Sequence, residues 1–208
     1  MRRKRTRWHD AGLFLLAPYL VVHCLASAPP AASQGAKERP SSTKKKQKAG
    51  PAADIKYGAD ALPDQVQEMR EAILGAVKSG RIEELRYAWE LNELKPDLGG
   101  QPVADPIAHF RQVSDDGEGR EILAALGEIL ESGYVVLPLG PDVENNRIFV
   151  WPYFAEVPLD KLTPGQEVEL LRLVPPAAAK AMRSAGRYTY WRIAIGADGT
   201  WHSFRREP

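Results

Sequence analysis

Cysteine is almost missing from this chain. The single copy, Cys24, lies in an apolar stretch near the N-terminus, so no intramolecular disulfide framework and no cysteine-rich metal cage can be built. Histidine is scarce too. Of four in the 208 residues, only His109 and His202 lie beyond residue 23, and no HExxH or related zinc spacing exists. A long apolar run is also lacking. Ala11 to Ala26 covers sixteen residues and is broken by Pro18 and His23, short of the roughly 20 that span a bilayer. Gly117 and Gly119 complete no phosphate-binding fingerprint. The C-terminal three quarters of the chain lack a positive net charge, which argues against nucleic-acid binding there.

What is present is divided by charge. Residues 1–56 hold 12 Lys/Arg against 3 Asp/Glu, and the remainder holds 16 against 24. The net charge of +1 therefore hides a basic leader and an acidic body. "RRKRTR", then "AGLFLLAPYLVVHCLA", then "SAPPAASQG" follow the order of a secretory signal peptide: charged, apolar, small. Residues 1–28 are expected to be that signal peptide, or an N-terminal anchor if retained, with cleavage as late as residue 33. His23 stands where a lipoprotein box needs a small residue, so Cys24 is not expected to carry lipid. The expected location is exported: the periplasm, held at the inner membrane if the leader stays.

Residues 29–56 are rich in Pro, Ala, Ser and Lys, with Ile55 the only large aliphatic. Such a stretch buries too little apolar surface to offset its ordering entropy, so a disordered basic linker is expected. Its Lys44 to Lys48 run reads as a spacer kept extended by its own charge, or as a contact for anionic lipid.

Residues 57–208 read as one globular domain. Val66, Met69, Ile73 and Val77 share a helical face, with Gly80 as a stop. Ile82, Leu85 and Trp89 mark a second helix whose Leu91 and Leu94 turn away from that face, the pattern of a helix covered on more than one side. A third helix carries Ile122, Leu126, Ile129 and Leu130. "YVVLPL" and "RIFVW" read as strands that Pro138 and Pro152 bring to an end. Thr163, Pro164 and Gln166 spell a capping box at a helix start, and a further turn runs through Met182. The chain then returns to strands. The predicted fold class is α+β: three N-terminal helices packed on an antiparallel sheet, with a helical insertion between two strand pairs.

The last strands hold the densest chemistry, "RYTYWRIAIGADGTWHSFRR". A two-residue type I′ turn at Asp198-Gly199 would pair Ile195 with His202 and Ile193 with Phe204. Trp191, Ile193, Ile195 and Phe204 then form a core face. Trp201 falls on the opposite face beside Gly196 and Ala194, with Tyr188 and Tyr190 further along. Arg192 lies opposite Arg205 there, an arrangement that needs a carboxylate from the acidic body or an anionic ligand. Arg192, Arg205, Tyr188, Tyr190 and Trp201 are the candidate ligand-binding residues.

No catalytic residue and no metal or other cofactor is assigned. "SDDGEGRE" resembles a calcium loop but fails EF-hand spacing, and its acids suit the start of a helix. His202 is expected to be a packed side chain at the rim of the apolar face.

"FVWPYFAEVPLDKLTPGQEVELLRLV" and "GRYTYWRIAIGADGTWHSF" resemble segments of a family of uncharacterised exported proteins, mainly alphaproteobacterial, over residues 57 to 205. The resemblance implies export and a single domain; it brings no reaction. The expected function is a non-enzymatic periplasmic or envelope binding module, with an envelope protein or glycan as partner. The alternative is a periplasmic hydrolase using Asp105–Glu118 with His109.

Overall fold

In the computed structural model, which describes residues 54–100, 102–140 and 146–206, four strands form one antiparallel sheet in the order β1-β2-β3-β4. These are β1 (Val135–Pro138), β2 (Arg147–Trp151), β3 (Trp191–Gly196) and β4 (Trp201–Arg206). Ahead of the sheet come α1 (Asp64–Ser79), a 3-10 turn (Ile82–Glu84), α2 (Leu85–Glu90), α3 (Pro106–Val113) and α4 (Arg120–Glu131). Between β2 and β3 lie two further 3-10 turns, α5 (Pro164–Leu173) and α6 (Pro176–Ala185). The fold is α+β. Among the described residues four α-helices, not three, precede the sheet. The expected leader and the linker up to residue 53 lie outside the described residues.

Alternation along each strand sends side chains to two separate cores. Phe149, Trp151, Trp191, Ile193, Ile195, Trp201 and Phe204 join the buried faces of α1 to α4. Val135, Val150 and Ala194 point the other way, into a cluster with Tyr153, Phe154, Leu170 and Met182 from the insertion. The sheet is thus covered on both faces, including the hairpin face on which the candidate binding surface was expected. Aromatic packing is dense in the first core, with Trp191 and Phe204 stacked at 4.6 Å between centroids.

Local chemistry explains the helix limits. Thr163 Oγ1 accepts from the Gln166 amide and Gln166 Oε1 accepts from the Thr163 amide, the expected capping box. Gly80 ends α1 in the left-handed region at φ 66°. The unforeseen α3 begins the same way as α5: Asp105 accepts from the Ile107 amide at 3.0 Å and Pro106 takes the first turn. Ile55 packs on the second core and Lys56 exchanges both backbone bonds with Tyr134, so these residues belong to the body, ahead of the expected boundary at Tyr57.

Both sheet edges are partly closed. Lys56 bridges the chain beside β1 at Tyr134, and Asp97 lies alongside β4. The Asp97 amide donates to His202 O and its carbonyl accepts from Phe204, each at 2.9 Å. Such short strips protect an edge from unwanted strand addition.

Candidate functional site

The hairpin closes differently from the type I′ expectation. The Gly199 amide donates to Gly196 O, and the Gly196 amide donates to Thr200 O. The loop is therefore three residues, Ala197 to Gly199, with Gly199 at φ 83°. Asp198 Oδ1 steadies it by accepting from the Thr200 amide at 3.0 Å. The extra loop residue shifts the first pairs by one, so Ile195 faces Trp201; a bulge at His202 then restores Ala194 with Ser203 and Ile193 with Phe204. A one-residue shift moves a side chain to the other face. Trp201 consequently sits in the first core, 0% exposed.

This corrects the expected surface. Trp201 packs edge-on against Trp89, with ring centroids 6.5 Å apart, and its indole N–H donates to Ser203 O. Tyr188 is buried as well, donating its hydroxyl to Trp191 O; burial pushes that phenol far above its usual range. Tyr190 is half-buried under the Arg206 guanidinium at 5.2 Å. Arg192 does face Arg205. Glu156 lies 3.0 Å from Arg192 and Asp97 lies 2.7 Å from Arg205, so each cation has a carboxylate from the body.

Two acids of Asp105–Glu118, Asp105 and Asp116, serve helix ends. Asp116 accepts from the amides of Glu118, Gly119 and Arg120 at 2.9 to 3.1 Å, ahead of α4. The Ser114 hydroxyl, first of all, and these amides hold the Asp116 carboxyl below its usual range. Burial works to raise Asp105, but the amides of Ile107 and Ala108 and the Arg86 guanidinium outweigh it. His109 is half-buried against Phe110, and desolvation lowers its pKa. Among the described residues no side-chain hydrogen bond or ion pair joins His109 to Asp105, Asp115 or Asp116; its amide donates to Asp105 O as part of α3. No group of three or more His, Cys, Asp or Glu side chains that could hold a metal ion gathers among them either.

Large apolar side chains are exposed elsewhere, on Tyr57, Val168 and Leu171 as well as on α2 and the segment that follows it. Tyr87, Leu91 and Leu94 are 60%, 44% and 78% exposed. Leu91 follows Tyr87 by one helical turn, its amide donating to Tyr87 O. Leu94 stands three residues on. Their placement is fixed by the buried Asn92, whose Oδ1 accepts from the Trp201 amide at 2.7 Å while Nδ2 donates to Ala88 O. Lys95 folds back over the Trp89 ring. The other faces of the same segment bury Leu85, Ala88 and Trp89. The two leucines that seemed to ask for a second covering layer have none among the described residues. Sequence reasoning singled them out for a covered face and missed Asn92, because a lone Asn at a helix end carries no sign of its distant partner.

Each exposed residue borders its own groove. Tyr87 borders one of about 450 Å³ with Ala72, Gly75 and Ala76. Leu91 borders one of about 170 Å³ with Gln65, Met69 and Gly199. Leu94 borders one of about 420 Å³ with Pro96, Leu98, Pro102 and Val103.

Fold and surface together define a small α+β domain, its antiparallel sheet enclosed between two helical layers and an apolar ridge left bare. No family model, curated protein or solved structure matches the chain.

Proposed function

We propose that the chain is an exported, non-enzymatic interaction module of the periplasm or cell envelope, and that it captures an envelope protein through the Tyr87–Leu91–Leu94 ridge. One observation carries this reading: Tyr87, Leu91 and Leu94 lie exposed along one short segment, each beside a groove, and the buried Asn92 clamps that segment to β4. Exposed apolar residues singly are ordinary, whereas a rimmed row beside grooves marks a contact surface. Asp105 and Asp116, two of the acids that a hydrolase would draw on, are engaged at helix ends, and no side-chain bond ties either to His109, which favours binding over catalysis. The Arg192/Arg205 face, the first candidate for ligand capture, is already ion-paired and makes the weaker site.

The experiment is affinity capture from envelope extract with the full chain, wild type against a Leu91→Ser/Leu94→Ser variant. Both leucines are exposed, so the variant should fold, which circular dichroism checks. A specific envelope protein retained by wild type and lost by the variant is the expected result. Equal capture by both overturns the assignment of the ridge.

A further inference from the structure

The ridge has a sign as well as a shape. The three grooves along it are lined by Glu68, Glu71, Glu83, Glu84, Asp97 and Asp198, against the single cation Lys95. Glu83, Glu84 and Asp97 are partly neutralised by Arg111, Arg81 and Arg205. Lys95 is turned onto the carbonyls of Trp89 and Asn92. Glu68 and Glu71 on α1, with Asp198 on the hairpin loop, therefore set a negative field. Glu90 and Glu93, both exposed, come between the apolar three in sequence and add to it.

Tyr87 and Leu91 stand one helical turn apart, and Leu94 follows beyond the end of α2. Apolar points spread along a segment, each beside its own groove, suit the apolar stripe of an amphipathic helix laid across them. The groove beside Tyr87 is floored by Ala72, Gly75 and Ala76, and a Cβ placed on Gly75 would meet nothing within 4 Å. That floor is open to an incoming side chain. An extended strand would instead seek the β4 edge, which Asp97 already occupies. An acidic helix would set like charges against Glu68 and Glu71.

We infer that the ridge docks a basic amphipathic α-helix of a partner protein. The partner's apolar stripe lies over Tyr87, Leu91 and Leu94, and its Lys or Arg flanks meet Glu68, Glu71 and Asp198. This inference rests on the reading of the chain as an interaction module and adds the chemistry of its partner.

Three fluorescent peptides of about 18 residues, roughly five helical turns, test it by anisotropy against the full chain. One is a helical amphipath with a leucine stripe and lysine flanks. The second replaces every lysine with glutamate, and the third scrambles the first. The basic amphipath should bind about tenfold or more tighter than either control at about 0.15 M salt, where long-range attraction is screened. Glu68→Gln/Glu71→Gln should weaken it by about threefold or more and flatten its salt dependence. Leu91→Ser/Leu94→Ser should weaken it by about tenfold.

Equal binding of the scrambled peptide, or no effect of the charge variant, overturns the basic-helix assignment. If the glutamate amphipath binds best and the leucine variant loses it, the partner chemistry is wrong while the ridge remains an interaction surface. If no peptide binds and the leucine variant still captures the wild-type partners, both the partner chemistry and the ridge fall.

Discussion

Trp201 shows how much one residue of register decides. With a two-residue turn its indole would face outward as part of a binding surface; with three loop residues it becomes a wall of the core. The two placements predict opposite phenotypes. Trp201→Ala should cost about 3–5 kcal/mol, the usual range for a large aromatic removed from a core, read as a lowered midpoint in chemical denaturation. A variant of unchanged stability would return Trp201 to the surface. Asn92 has comparable reach: its amide ties the end of α2 to β4 and so presents Leu91 and Leu94 to solvent.

Among the elements, α4 illustrates how an acidic loop is spent on structure. Asp116 accepts from the amides that lead into that helix, Glu118, Gly119 and Arg120, and the Ser114 hydroxyl and those amides depress its pKa. A carboxyl lowered in the folded state contributes stability that is fully present above its unfolded pKa of about 3.9 and disappears as pH falls through the folded value. Asp116→Asn should therefore have a lower Tm than wild type at neutral pH, and the deficit should shrink as pH drops below about 4. A deficit that is constant down to pH 2–3, or none at all, would count against the cap. Elements with a limit written locally were legible in the sequence: α5 from its start at Thr163, Pro164 and Gln166, α1 from its periodic face and its stop at Gly80. The start of α3 carried the same kind of signal in Asp105 and Pro106, but the helix is eight residues long and sits among loop-forming residues, so its periodicity was weak.

At the scale of the whole molecule, charge and hydropathy divide the chain into a basic beginning and an acidic body. The export reading predicts that the protein recovered from the periplasmic fraction starts after residue 28 or as late as after 33, which N-terminal sequencing or intact mass measures. Full-length protein beginning at Met1 in the cytosol would overturn it. Hydrophobic periodicity also identified both strand pairs and the insertion between them, because strands and helices have periods that can be counted. That same periodicity, with no reference to any neighbour, marked Leu91 and Leu94 as apolar residues outside the main face. Which layer would cover them was beyond its reach.

The sequence by itself determined the α+β class, the strand pairs, the α5 cap and the basic-to-acidic division, since each depends on residues close together in the chain. Tertiary structure alone decided that the insertion closes over the second face of the sheet, that Trp201 is core, that Arg192 and Arg205 meet Glu156 and Asp97, and that Tyr87, Leu91 and Leu94 stay bare. Those outcomes turn on loop length and on contacts between segments up to about a hundred residues apart, such as Asn92 with Trp201, and local patterns hold no record of them.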